Sequence, residues 1–258
     1  MQDIIDKLRV PKVLLRYIMM NFTNIDTIKN LILNVKSMNI LDMHSKDILE
    51  KAQKGFDWNC INGHLTVAKW LYSIDQIDIH ADNEYAFRYC CQNGYLAVAE
   101  WLYSVSQVNI HANNEHAFCY SCENGHLTVA KWLYSLGGVD IHVANEYAFR
   151  YSCRRGHFAV AQWLYSLGGV DIHAYNEDAF KSSCRNGHLA LVQWLYSLGN
   201  INIHDDNEYA FRLSCYYGHL SIAQWIYSLG NVNIHAHNGY VFQWSSKQIL
   251  DWLNTIKN

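Results

Sequence analysis

Proline is almost absent from this chain: Pro11 is the only one in 258 residues. A backbone so free of fixed φ angles can be helical nearly throughout. Long apolar runs are missing as well. No stretch of about 18 apolar residues occurs, so no membrane span is expected. The N-terminus carries Asp3, Asp6, Lys7 and Arg9 in place of a signal-peptide apolar block. The expected location is therefore the cytosol or nucleus of the producing cell, without secretion. A dominant charge is missing too. The formal net charge of −3 gives no global argument for nucleic acid or an anionic membrane. There is no phosphate loop, no Gly-x-Ser-x-Gly, and no Cys-x-x-Cys paired with a suitable His pair. An enzyme reading has no positive support, and no catalytic residue, metal ligand or cofactor is assigned.

What the chain has is repetition. The stretch Asn124-Gly125-His126-Leu127-Thr128-Val129-Ala130-Lys131-Trp132-Leu133-Tyr134-Ser135 occurs six times with small changes. Its glycines, Gly63, Gly94, Gly125, Gly156, Gly187 and Gly218, are 31 residues apart. Trp70, Trp101, Trp132, Trp163, Trp194 and Trp225 keep that step, as do Phe87, Phe118, Phe149, Phe180, Phe211 and Phe242. Such a period signals a stacked array in which each unit touches only its neighbours.

The eight cysteines do not read as disulfides. Cys60, Cys91, Cys122, Cys153, Cys184 and Cys215 share one repeat position. Neighbouring helices sit about 8–10 Å apart, whereas a disulfide needs Cα atoms within about 4.4–6.8 Å. The ladder reads as small buried side chains in a reducing compartment. Cys90 and Cys119 lie outside it.

Residues 1–43 do not follow the template and read as a degenerate helical cap. Leu14, Leu15, Ile18, Met19 and Phe22 recur at helical spacing, followed by Ile25, Ile28, Leu31, Ile32 and Val35. Residues 44–80 read as a first repeat with a long first helix from about Ser45 to Cys60. Its buried face carries Ile48, Leu49, Ala52, Phe56 and Cys60. Residues 81–235 hold five further repeats and 236–258 a C-terminal cap. In a full unit Asn114 is an N-cap candidate, with Glu115 at the positive end of the helix dipole. Gly125 ends the first helix in a left-handed conformation. Gly137-Gly138 ends the second, and Val139-Asp140-Ile141-His142 is a short extended link. The last helix places Ile249, Leu250, Leu253 and Ile256 inward, and Lys247, Gln248, Asp251 and Lys257 outward.

Phe-(six residues)-Gly-His-Leu-x-Val-Ala-x-Trp-Leu, then Leu-Gly and Val-Asp-Ile-His-Ala, resembles the ankyrin repeat over roughly residues 55–245. The flavour is similar to ankyrin proteins of giant amoeba-infecting DNA viruses. The resemblance implies an all-α ankyrin-type solenoid of helix-turn-helix repeats, with truncated hairpin links and helical caps at both ends. The family's Thr-Pro-Leu-His opening is replaced here by Tyr147-Ala148-Phe149-Arg150. Its usual period is about 33, and the shortfall falls near Val143-Ala144, implying a shortened tip and a shallower groove.

Fourteen histidines invite a metal reading. Ligands of one zinc ion must lie within roughly 3–4 Å of each other, which members of a ladder one repeat apart cannot do. Hydrogen bonding of loop and turn backbone between neighbours is the preferred role. The Trp-Leu-Tyr ladder reads as core, since each tryptophan can bury about 150–250 Å².

Function is then expected where copies differ. Packing fixes the constant positions and leaves the variable ones free. Positive and aromatic side chains concentrate there: Arg88, Tyr147, Arg150, Arg154, Arg155, Tyr175, Lys181, Arg185, Arg212, Tyr216 and Tyr217. The resemblance places such positions on the concave face. Arginine and tyrosine are enriched at binding hot spots, so the expectation is a monomeric, non-catalytic scaffold that binds another protein, an acidic segment of a host protein. A solvated face neutralised by Glu146, Glu177 and Glu208 fits the same residues, and the sequence leaves both open. Two other readings stay open beside it. One is nucleic-acid binding through the basic stripe, against which the near-neutral charge argues. The other is an adaptor recruiting ubiquitin-ligase machinery through residues 1–43, which lack a Leu-Pro opening of the F-box type.

Overall fold

The computed structural model describes residues 45–73 and 77–256. The helices expected within residues 1–43 lie outside them, as does Lys257. The chain forms two compact units, within Met1–Phe118 and Cys119–Asn258. In the first are α1 (Ser45–Ile61), α2 (Leu65–Ser73), α3 (Ala81–Gln92), α4 (Leu96–Ser106) and the start of α5 (Ala112–Glu123). The rest of α5 leads into the second. There follow α6 (Leu127–Ser135), α7 (Val143–Arg155), α8 (Phe158–Ser166), α9 (Ala174–Asn186), α10 (Leu189–Ser197), α11 (Asp205–Tyr216), α12 (Leu220–Ser228), α13 (Ala236–Trp244) and α14 (Lys247–Ile256). No strand occurs among the described residues.

Each unit is a row of two-helix bricks. In the first, α1 packs on α2 and α3, and α3 on α4. In the second, the first helices α7, α9, α11 and α13 pack in series, each also against its own second helix. The turn inside a brick needs glycine. Gly156 follows α7 at φ 85°, and the ring of His188 from the next brick lies where its Cβ would stand. Only a residue without Cβ tolerates both the left-handed backbone and that approach.

The deepest layer is the phenylalanine ladder. Phe56, Phe87 and Phe118 in the first unit are fully buried, as are Phe149, Phe180 and Phe211 in the second. Beside them lie Leu71, Leu102, Leu164, Leu195 and all eight cysteines, which are free thiols. Burial pushes the Cys215 thiol up to about 12, which leaves it inert as a nucleophile. The indoles were expected in this layer, but they are only half-buried. Trp163, Trp194 and Trp225 instead close brick boundaries by meeting the preceding tyrosine edge-on, in Tyr134–Trp163, Tyr165–Trp194 and Tyr196–Trp225. At the C-terminal end Trp252 takes that place against Tyr227, with Ile249 and Leu253 buried.

The links differ from the expectation of an extended segment capped by asparagine. Each begins with an Asx turn: the N–H of His142 donates to Asp140 Oδ1 at 2.9 Å, and His80, His173 and His204 repeat the arrangement. Ile79, Ile141, Ile172 and Ile203 are buried beneath. Three residues then run left-handed, such as Ala144, Asn145 and Glu146 at φ 51°, 53° and 61°. The asparagine is thus the middle of a left-handed turn rather than an N-cap, consistent with its tolerance of this region. The strain, about 1–2 kcal/mol per residue, is offset by side chains. Arg150 donates from Nε to Asn145 O and from Nη2 to Ala144 O. The glutamate carboxylate turns back to its own link, where Glu146 Oε1 lies 2.7 Å from His142 Nδ1, and reaches on to the Asp171 N–H. Glu84 and Glu208 do the same for Asn109 and Asn233. In the first brick Gln53 stands in, accepting from the Asp78 N–H at 3.0 Å.

Candidate functional site

The variable residues fall on rungs with different fates. The rung after the phenylalanine holds Arg88 in the first unit, and Arg150, Lys181 and Arg212 in the second. All four are buried. Arg88 and Arg212 donate to their own left-handed turns, as Arg150 does. Arg150 also pairs with Asp178 at 2.9 Å, and Lys181 with Asp205 at 2.6 Å. The Lys181 ammonium, through that hydrogen bond, holds the Asp205 carboxyl below its ordinary range. These four cations serve the fold, not an open surface as the sequence pattern suggested.

The rung in the last turn of each first helix behaves differently. Glu123 is buried, accepting from the Tyr147 hydroxyl at 2.6 Å and from Arg155 Nη2 at 2.9 Å. Burial first, and then this bond, push the Tyr147 phenol well above the ordinary tyrosine range. Arg154 and Arg185, the next two members of the rung, are exposed. Among the described residues neither has a carboxylate within ion-pair distance. Their guanidiniums lie over tyrosine rings, Arg154 over Tyr151 at 5.4 Å and Arg185 over Tyr217 at 5.0 Å. Their backbone is pinned from the next brick: His188 Nε2 lies 3.1 Å from Arg154 O, and His219 Nε2 2.9 Å from Arg185 O. That is the role expected for the histidines that follow the turn glycines.

Tyr216 completes the rung and is exposed. It contacts Tyr217 and Tyr240, and Tyr240 contacts Trp244, which is 59% exposed. Tyr175, 70% exposed, lies over Arg150 at 4.6 Å. Arg155 keeps 59% of its side chain exposed despite its bond to Glu123. Tyr240 and Trp244 are absent from the residues the sequence singled out. The spacing held a signal: Tyr216–Tyr240, Glu123–Tyr147 and Lys181–Asp205 are all 24 residues apart, the offset at which neighbouring first helices touch.

No group of three or more metal-ligating side chains occurs among the described residues. Nor is any described helix long and apolar enough to cross a membrane.

The second unit is thus a module of stacked helical repeats, with a first-helix face of exposed arginines and aromatic rings. Residues 56–145 match the family model for ankyrin repeats (3 copies). The crystal structure of the human ASB11 ankyrin repeat domain superposes with a TM-score of 0.59 at 15% identity, covering 78% of this chain and 96% of that one. No protein with a curated description matches. Residues 56–145 thus carry ankyrin repeats, the chain takes the ankyrin-repeat fold, and such repeats are in general protein–protein interaction modules.

Proposed function

We propose that the chain is a non-catalytic interaction scaffold whose second unit binds an acidic segment of another protein through Arg154, Arg185 and the aromatic rings beside them. One observation carries this reading. Six carboxylates of the second unit are already held within the chain: Glu146, Glu177 and Glu208 by His142, His173 and His204, Asp178 by Arg150, Asp205 by Lys181 and Glu123 by Arg155, while Asp206 stays exposed at a link. Among the described residues Arg154 and Arg185 meet tyrosine faces and no carboxylate, and such faces orient a guanidinium without neutralising it. An incoming carboxylate gains the charge-assisted hydrogen bonds they lack. Tyr175, Arg155, Tyr216 and Tyr217 give the contact its area, while Arg88, Tyr147, Arg150, Lys181 and Arg212 keep the helices in register. Eight free buried thiols suit a reducing compartment such as the cytosol or nucleus.

The test is affinity capture from the producing cell, comparing the native chain with an Arg154→Glu, Arg185→Glu variant. Loss of a specific partner with an unchanged melting midpoint supports the reading. Unaltered capture places the site elsewhere.

A further inference from the structure

We infer that the bound segment is extended and carries two acidic residues three positions apart, with an aromatic residue three positions beyond the acid that meets Arg185. This rests on the reading above and specifies its ligand. Arg154, Arg185 and Tyr216 occupy one rung on successive first helices, α7, α9 and α11. Their spacing is that of packed helices, about 8–10 Å. An extended chain in the polyproline II form advances about 3.1 Å per residue with three residues per turn, so side chains three positions apart share one face and match one brick. A helical segment advances about 1.5 Å per residue and needs six or seven for the same step, which loses the match to successive side chains. The rung is also fixed in place, because His188 and His219 hold the carbonyls of Arg154 and Arg185 at 3.1 and 2.9 Å. Two cations at a fixed interval select a ligand by interval as well as by charge.

The rung also sets where the pattern stops. Before Arg154 comes Glu123, buried and engaged with Tyr147 and Arg155, so it offers no third cationic seat. After Arg185 comes Tyr216, packed on Tyr217 and Tyr240 and open to solvent on its other side. An aromatic side chain arriving there buries its face against rings, the favoured geometry for such pairs. A string of phosphates is a poorer match, since the rung offers two cations with no carboxylate among the described residues and then turns aromatic.

The experiment measures fluorescence anisotropy of labelled seven-residue peptides with the full chain. The peptides are Glu-Ser-Ala-Glu-Ser-Ala-Phe, its reverse, a counterpart of each with serine in place of phenylalanine, and the permuted Glu-Glu-Ser-Ala-Ser-Ala-Phe. A heptamer of thymidine serves as the nucleic-acid probe. One of the two spaced peptides is expected to bind up to about fivefold tighter than the permuted one, from two ion pairs made in place of one. Arg154→Gln with Arg185→Gln should erase that ratio, and Tyr216→Ala should remove the advantage of phenylalanine over serine at the last position. Equal binding of spaced and permuted peptides, still weakened by the arginine substitutions, overturns the spacing and leaves the scaffold reading standing. Peptide binding indifferent to both arginines overturns both. Thymidine heptamer binding tighter than every peptide overturns both in favour of a nucleic-acid face.

Discussion

Arg150 Nη1 lies 2.9 Å from Asp178 Oδ2, a contact between first helices 28 residues apart in sequence. The same guanidinium closes the left-handed turn of its own brick through Asn145 O and Ala144 O. One side chain therefore joins link, helix and neighbour. Arg150→Ala removes two part-buried hydrogen bonds to the left-handed turn and strands a carboxylate that is about one-third exposed, so a loss of about 2 kcal/mol is expected. Arg154→Ala, four residues on and exposed, should move stability by less than about 0.5 kcal/mol. Urea unfolding of the two variants checks the contrast, and equal losses would place both arginines in the same role.

The turn glycines allow a matched pair of substitutions. Gly156 and Gly168 both have positive φ, 85° and 89°. A Cβ on Gly168 meets nothing within 4 Å, whereas on Gly156 it stands 2.6 Å from His188 Cε1. Gly168→Ala should cost only the left-handed backbone, about 1 kcal/mol. Gly156→Ala must also displace a ring hydrogen-bonded to Arg154 O, and is expected to cost at least about 1 kcal/mol more. Thermal melts of the two variants read the difference.

The ring ladders carry different loads. Phe149 is fully buried, so Phe149→Ala should cost about 3–5 kcal/mol. Trp163 is half-buried and keeps an edge contact with Tyr134, so Trp163→Ala is expected to cost about 2 kcal/mol. A larger loss at Trp163 than at Phe149, measured by denaturant midpoint, would reverse this assignment of the core.

Much of this was legible in the sequence because packing leaves constant residues. Gly156 and Phe149 recur at a fixed step, and one brick could be drawn from them. Variation misled at the rung of Arg88, Arg150, Lys181 and Arg212. Those residues vary yet are buried, because each change is answered elsewhere: Asp178 answers Arg150, and Asp205 answers Lys181. Such pairing depends on where neighbouring helices touch, which a linear pattern does not display. The Asn-Glu pair misled in another way. Asparagine suits an N-cap and a left-handed turn alike, and only the path of the backbone separates them.

In the first unit Asp57 stands on that same rung, and burial raises its carboxyl to about 6 from an ordinary 3.8. Its Gln53 hydrogen bond only partly offsets this, while Asp82 and Asp78 add repulsion. The native state therefore holds a proton that the unfolded chain releases between about pH 4 and 6. The contribution to stability falls as pH rises through that window, by at most about 3 kcal/mol. Asp57→Asn removes the titration and keeps an acceptor for Gln53. It should raise the melting temperature at pH 7.5 and leave it nearly unchanged at pH 3.5. A variant equally shifted at both values would show that Asp57 does not titrate in this range.

A partner that covers the first-helix face of the second unit slows hydrogen–deuterium exchange there. Comparing the chain with and without its captured partner, added protection is expected around Arg154–Arg155, Arg185 and Tyr216–Tyr217. Protection confined to the second-helix side, around Gln162, Gln193 and Gln224, would contradict that placement.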